Sequence, residues 1–353
     1  MRWPSAWHDW LTAQWQAPRP AAALQVLAPL SWLYAGLAWV HRSLYRMQLL
    51  RAARAPVPVV VIGNLVVGGA GKTPTVIALV QWLQQDGWTP GVISRGYGRQ
   101  GHDTLEVHAR SSSAASGDEP LLIHLRTHAP VVVGRDRVAA ARTLCDRHPE
   151  VNVLVADDGL QHLRLHRDVE ILVFDDRGIG NGRLLPSGPL RSPAPVRANA
   201  RSLVLYTAGR VTTHLKGFVG RRHLLGLLPL TQWWTTPGAP AIPLQHLADR
   251  TVHAAAGIAR PEAFFRMLEV EGLRLVRHAL PDHHAFDETP WPRDAQAIVV
   301  TEKDAAKLPP HRIDADRIWV ARLDFTPEDS FFAAVRSLLP TTPWASITVL
   351  STF

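Results

Sequence analysis

Cysteine is almost absent from this chain of 353 residues: Cys145 stands alone. An internal disulfide and a cysteine-built zinc site are excluded. The Ala-Ala-Arg-Thr-Leu-Cys context reads as the core side of a helix. Absence of disulfides fits a reducing cytosol. Acidic residues are also short, 30 against 38 Lys plus Arg, for a net charge of +8. That balance favours anionic partners: nucleotides, nucleic acid or an acidic membrane surface. Long internal repeats are missing, which excludes a solenoid or propeller. Low complexity is confined to the serine and alanine stretch at 111–116.

Charge is missing altogether from residues 21–40, AAALQVLAPLSWLYAGLAWV. Six of the 13 tryptophans (Trp3, Trp7, Trp10, Trp15, Trp32 and Trp39) lie in the first 40 residues. Tryptophan favours the membrane–water boundary, and His41, Arg42, Arg46, Arg51 and Arg54 follow the run, suited to anionic head groups. The run starts late and no good cleavage site follows, which argues against a signal peptide. Its length would allow a span, but Gln25, Pro29, Ser31 and Gly36 weaken that reading. The expectation is an amphipathic or partly inserted anchor over residues 1–50. The alternative is a helix packed on the protein's own core.

Residues 57–75, VPVVVIGNLVVGGAGKTPT, organise the rest. The β-branched run 57–62 predicts a buried strand. Gly63, Gly68, Gly69 and Gly71 follow, then Lys72, Thr73 and Pro74, with proline tolerated in a first helical turn. Strand, glycine-rich loop, Lys-Thr and helix is the layout of a phosphate-binding loop. Backbone amides cradle phosphate, Lys72 reaches the terminal phosphates and Thr73 offers a hydroxyl to Mg²⁺. The strict pattern asks for glycine at 66, where this chain has Val66.

A helix is expected at 73–85 and a strand at 89–94, ending in the basic loop Ser94-Arg95-Gly96-Tyr97-Gly98-Arg99. Residues 100–119 read as a mobile loop, closed by Gly117-Asp118-Glu119-Pro120. There Asp118 is either a helix cap or a carboxylate presented as a base. Strands are expected at 129–133 and 151–156, the second ending in Asp157-Asp158-Gly159-Leu160-Gln161-His162. An apolar strand ending in carboxylates beside a phosphate loop is suited to Mg²⁺. A strand at 169–174 leads to Asp175-Asp176 and a long Gly- and Pro-rich loop through Arg191. With a strand at 203–206, the alternation predicts a P-loop NTPase-like, mostly parallel α/β sheet with helices on both faces. Its site would lie at the strands' carboxyl ends.

The texture changes after 210, where 211–240 suggests a hairpin connection. Strand and helix patterns return at 251–256, 262–271, 273–280, 297–300, 318–323 and 330–339. The expected division is a membrane-associated helical segment (1–50), a P-loop core (51–210) and a second, smaller α/β lobe (211–353). Pro281-Asp282-His283-His284 is a candidate proton-handling or metal site. Thr301-Glu302-Lys303-Asp304 after a strand is similar to the base-reading tetrad of some P-loop proteins, or is a helix start capped by Thr301. On the first reading, a membrane-associated GTPase-like switch is the rival function.

Taken together, these motifs resemble one family, the tetraacyldisaccharide 4'-kinases of lipid A biosynthesis. The matching pieces are GNLVVGGAGKTP (63–74), SRGYGR (94–99), GDEP (117–120), GRDR (134–137), DDGLQH (157–162), GNGRLLPSGPLR (180–191), AGIARP (256–261), PDHH (281–284) and VTEKD (300–304). That family's loop departs from the strict pattern where Val66 stands. The resemblance implies ATP-dependent, Mg²⁺-requiring phosphorylation of a lipid disaccharide's 4'-hydroxyl. The setting it implies is the cytoplasmic face of the bacterial inner membrane, against its anionic surface and without nucleic acid. It implies Asp118 as base with His283, His284 being the alternative. ATP would be held by Gly68, Gly69, Ala70, Gly71, Lys72, Thr73, Pro74, Asp158 and Gln161, with Thr301, Lys303 and Asp304. Metal contacts would come from Thr73, Glu119, Asp157 and Asp158. Arg95, Arg135, Arg191 and Asn181 would hold the substrate, the arginines on its existing phosphate.

Overall fold

The computed structural model describes residues 5–17, 21–236 and 238–340. It comprises two compact units: Met1–Lys72 with Asn152–Arg221 and Pro327–Phe353, and Thr73–Val151 with Arg222–Thr326.

The first unit is built on a parallel sheet. Val59–Gly63 lies between Val153–Asp157 and Val169–Phe174, with Ser202–Tyr206 and then the start of Phe218–Pro229 beyond. All five residues of the central strand are buried. A strand covered on both faces reads as a continuous β-branched run rather than an alternation, which is why residues 57–62 look as they do. The parallel order gathers Gly63, Asp157 and Asp175 at one end of the sheet.

Two N-terminal helices of this unit, Ser5–Gln16 and Ala28–Arg46, dock on the loop 178–191 through polar contacts. Trp15 Nε1 donates to Pro186 O at 3.0 Å, and the Asn181 N–H donates to Trp15 O at 2.8 Å. Ser31 Oγ lies 3.0 Å from Leu184 O and accepts the Ser187 N–H at 3.0 Å. Tyr34 OH donates to Arg191 O at 2.6 Å. Ser31 and Tyr34 share one helical face. Leu30, Trp32, Leu33, Leu37, Trp39 and Val40 are exposed, Trp32 to 73 %. A core helix would bury such residues and expose its serine. The helix packed on its own core is therefore not what forms, and the run is long and apolar enough to cross a membrane. Of the tryptophans counted above, Trp3 and the Trp7 side chain fall outside the described residues.

In the second unit Pro90–Ser94 pairs in parallel with Val131–Val133, which Leu105–Val107 joins antiparallel. Thr251–Ala256 lies between Arg274–Ala279 and Ile298–Thr301, and Ile318–Pro327 pairs with the latter, all parallel. Val252, Ala254, Phe264, Phe265, Leu268 and Val299 form a core on this second set.

Three local expectations change. Residues 100–119 contain the strand Leu105–Val107 and a helical turn, Ser113–Ser116. Ser112 caps that turn by accepting the Ala115 N–H, so these serines order the chain rather than loosen it. Asp118 is the first residue of the Asp118–Thr127 helix and Gly117, at φ +90, is its N-cap. Residues 211–240 hold a long strand, Phe218–Pro229, and a short helix, Leu230–Thr235. The expected hairpin reduces to a single antiparallel bridge, Leu227 to Ile242.

A buried ion pair ties two helices of this unit. Arg126, near the end of Asp118–Thr127, meets Glu302 Oε2 at 2.6 Å, and both side chains are nearly inaccessible. Trp233 Nε1 and the Leu323 N–H also donate to Glu302, each at 3.2 Å. Glu302 opens the Glu302–Ala305 helix. The pair thus fixes the helix bearing Asp118 against the one bearing Lys303. Removing one partner of such a pair costs about 3–5 kcal/mol, because a charge is left buried alone. Arg126→Met should lower stability by about that amount in denaturant unfolding, and Arg126→Met/Glu302→Leu should lose less than the single variant.

Candidate functional site

Two clusters contain most of the residues singled out above. The first is the glycine-rich loop. It begins at Gly63, where the central strand ends, and Lys72 opens the Lys72–Gln85 helix. Val66 is buried and forms an antiparallel bridge with Leu190. Around it the Val67 N–H donates to Pro189 O at 2.9 Å and the Arg191 N–H to Leu65 O at 2.7 Å. The valine at the position of the strict pattern's glycine therefore extends a strand-like segment that pairs with 189–191.

Beyond Val66, four successive carbonyls are each taken by a side chain. Arg177 donates to Val67 O at 3.3 Å and to Gly69 O at 2.8 Å. Asn64 Nδ2 donates to Gly68 O at 3.0 Å, and Thr207 Oγ1 to Ala70 O at 3.1 Å. Gly68 sits at φ +93, a conformation open to glycine. Lys72 Nζ donates to Asn64 Oδ1 at 3.2 Å and lies 3.7 Å from Asp158 Oδ1. Asp158, at φ +48, also meets Arg191 at 3.1 Å. Gln161 donates to Asn64 O. Asp157 is buried at the end of Val153–Asp157. Asn181 works inside its own loop, donating to Ser187 O and accepting the Arg183 N–H. Arg177, Asn64 and Thr207 escaped sequence reading, since a residue bonded to backbone carbonyls carries no spacing signature.

The second cluster is a carboxylate–imidazole–ammonium group. Asp118 is 4 % exposed, and His283 Nδ1 lies 3.0 Å from its Oδ2. Lys303 Nζ stands 3.0 Å from Glu119, 3.3 Å from Asp282 and 3.8 Å from Asp118. Lys307, one helical turn on, reaches Asp304 at 2.9 Å and Asp118 at 3.7 Å. Sequence reading missed Lys307; its i,i+4 spacing from Lys303 was the available signal. Asp304 is fully buried and holds Lys307, the Gly257 N–H and the Thr301 hydroxyl. Gly257 O in turn accepts the His283 N–H. Within the tetrad, Thr301 caps the helix and Lys303 faces the carboxylates. His284 Nδ1 accepts the Phe286 N–H, so His283 and not His284 meets Asp118.

The basic loop supports this pair. Tyr97 packs on the His283 ring at 5.2 Å between centroids, and a Cβ on Gly98 would reach the same ring. A Cβ on Gly117 would press on Gly96. His283 holds φ +62, a left-handed conformation that costs on the order of 1 kcal/mol in a non-glycine residue and persists where surroundings impose it. Arg95 and Arg135 are exposed.

Burial pushes the Asp118 carboxyl up, but the His283 hydrogen bond and the charges of Lys303 and Lys307 outweigh it and hold the pKa below the usual carboxylate range. The Asp118 hydrogen bond raises the His283 imidazole despite desolvation. Burial disfavours the Lys303 ammonium, yet Glu119, Asp118 and Asp282 together raise it. The group is thus a carboxylate held by one imidazole and two ammonium groups, able to hold a hydroxyl by its proton. No described cluster gathers three metal-type side chains. The candidate ligands are hard oxygens, which suits Mg²⁺, an ion that keeps waters and takes one or two carboxylates beside phosphates. In Asp118→Asn the main cause of the raised His283 pKa is gone, so its imidazole should titrate at lower pH than in the parent, read by NMR of the ring.

The comparisons fall on the same pieces. The family Tetraacyldisaccharide-1-P 4'-kinase matches residues 23–340. A tetraacyldisaccharide 4'-kinase of Methylibium petroleiphilum is 51 % identical over 339 residues, 94 % of each chain. That of Leptothrix cholodnii is 48 % identical, covering 95 % of this chain and 94 % of its own. The crystal structure of LpxK from Aquifex aeolicus in complex with ATP superposes with a TM-score of 0.74 at 26 % identity, over 90 % of this chain and all of that one.

Proposed function

Since the chain belongs to the tetraacyldisaccharide 4'-kinase family, we propose that Asp118 is the base with which it deprotonates its acceptor. The activity is ATP-dependent phosphorylation of a lipid A disaccharide precursor at its 4'-hydroxyl. The GTPase-like alternative draws no support from these relatives. The observation that carries the reading is the buried Asp118 carboxylate held by His283 at 3.0 Å.

Phosphoryl transfer asks chiefly for positioning and charge neutralisation. Asp118 accepts the hydroxyl's hydrogen bond and takes its proton as the oxygen bonds to the γ-phosphorus, while the bond from that phosphorus to the β–γ bridging oxygen breaks and ADP leaves with the electron pair. His283 orients the carboxylate and shares the proton afterwards. The His283 hydrogen bond, with the Lys303 and Lys307 charges, favours the ionised Asp118 carboxyl. The loop amides from Gly68 to Gly71, with Lys72, Thr73 and Pro74, hold the ATP phosphates, and Asp158, Gln161, Thr301, Lys303 and Asp304 are assigned to the remaining nucleotide contacts. Thr73, Glu119, Asp157 and Asp158 are the residues that would hold Mg²⁺, which would supply neutralisation of phosphate charge. Arg95, Arg135 and Arg191 are assigned to the acceptor's existing phosphate, where guanidinium forks fit, and Asn181 to the acceptor at large.

The three segments 1–50, 51–210 and 211–353 divide the work into membrane attachment, nucleotide binding and completion of the site. The acceptor's acyl tails stay in the bilayer, since each exposed CH₂ costs about 0.8 kcal/mol. We therefore place the enzyme on the cytoplasmic face of the inner membrane. The exposed apolar side of Ala28–Arg46 would enter the bilayer and the arginines after it would meet anionic lipid, with no nucleic-acid partner.

Two tests follow. Asp118→Ala should cut phosphate transfer from labelled ATP to the lipid disaccharide by at least about 100-fold, the scale of a lost general base, while ATP binding by calorimetry stays within about twofold. An equally active variant removes Asp118 from the role. Trp32→Glu/Leu37→Glu should release the protein from anionic vesicles in flotation while leaving its thermal stability unchanged. This is cleaner than deleting residues 1–50, because Trp15, Ser31 and Tyr34 hold the 178–191 loop.

A further inference from the structure

Arg177 lies outside every motif used so far, yet it is among the most constrained side chains of the first unit. Its Nε lies 3.1 and 2.9 Å from the two oxygens of Asp175, and an Nη of the same guanidinium lies 2.8 Å from Asp175 Oδ2. Asp175 itself is buried at the end of Val169–Phe174. From that fixed base the fork reaches Val67 O and Gly69 O, the two carbonyls flanking Gly68. A Cβ on Gly68 would come within 3.1 Å of the guanidinium.

The consequence follows from peptide geometry. In a trans peptide the C=O and the following N–H point in opposite directions. Drawing Val67 O and Gly69 O toward Arg177 turns the N–H groups of Gly68 and Ala70 the other way. With Asn64 and Thr207 on the Gly68 and Ala70 carbonyls, the amides in this stretch are offered together as an anion-binding concavity. Arg177 has five N–H donors, and the carboxylate and two carbonyls engage most of them, so it serves as a brace rather than as a phosphate ligand.

We propose that Arg177 is a positioning residue for the nucleotide: anchored on Asp175, it holds the glycine-rich loop in the form that accepts ATP phosphates. This rests on the reading that the loop binds ATP. Lysine cannot replace it, because a single ammonium lacks a planar fork able to bridge one carboxylate and two carbonyls.

Steady-state kinetics with ATP and the lipid acceptor varied separately provide the test. Arg177→Ala should raise the KM for ATP at least tenfold, with the acceptor KM and kcat within about threefold of the parent. Arg177→Lys should resemble Arg177→Ala, and guanidinium at 10–50 mM, roughly a hundredfold below denaturing strength, should restore part of the ATP affinity in Arg177→Ala only. Unchanged ATP KM, or equal rises in both KM values with no guanidinium rescue, would overturn the proposal. If Arg177→Ala does not fold, Arg177→Lys decides alone: its ATP KM must rise at least threefold with the acceptor KM unchanged. Lys72→Met separates the two readings. Full ATP affinity there refutes the loop as the ATP site, whereas loss there with a normal Arg177→Ala refutes the brace alone.

Discussion

A carboxylate as buried as Asp118 remains charged only where cations are brought to it, and the second unit is arranged to bring them. Lys303 and Lys307 arrive from a distant part of the chain by charge, and the His283 imidazole joins them by hydrogen bond. Their delivery depends on further buried contacts. Asp304 holds Lys307 and Gly257, and Gly257 holds the His283 backbone. Arg126 and Glu302 lock the helix of Asp118 to the helix of Lys303. Buried ion pairs add little net stability on average, so the gain from this set lies in geometry.

The glycine-rich loop meets the opposite requirement. On the proposed reading its ligand is the ATP phosphates, so its amides would be offered to them while its carbonyls are turned away and bonded elsewhere. Arg177, Asn64 and Thr207 do this for four consecutive carbonyls. Asn64 also fixes Lys72, giving the loop shape and the cation position one common support. One unit arranges cations around a carboxylate, and the other, on the proposed reading, arranges donors for phosphate.

Much of this was legible in the residues. A β-branched run, a G-K-T turn and a strand ending in Asp157-Asp158 impose local chemistry that only a few backbones satisfy, so the parallel sheet and the loop could be read directly. The pairing of Asp118 with His283 came from a family resemblance; spacing alone left Asp118 equally readable as a cap. That reading failed for a backbone reason: Gly117 at φ +90 takes the cap position and leaves Asp118 inside the helix. Arg177 and Lys307 were not legible, because what makes them matter is the carbonyl or carboxylate they meet across more than a hundred residues of chain.

The N-terminal helices show why the apolar run could not be settled by composition. A core helix and a membrane helix share a composition and differ in which face is polar and where that face goes. Here Ser31 and Tyr34 turn inward and Trp32, Leu33 and Leu37 outward. The contacts they make inward are with the 178–191 loop, and that loop bridges Val66 through Leu190 and meets Asp158 through Arg191. The helix whose apolar face is exposed is therefore seated on the same loop that frames the glycine-rich turn. On the proposed attachment, substituting residues on its outer face would change membrane affinity alone, whereas substituting Ser31 or Tyr34 would also loosen the frame around the glycine-rich loop.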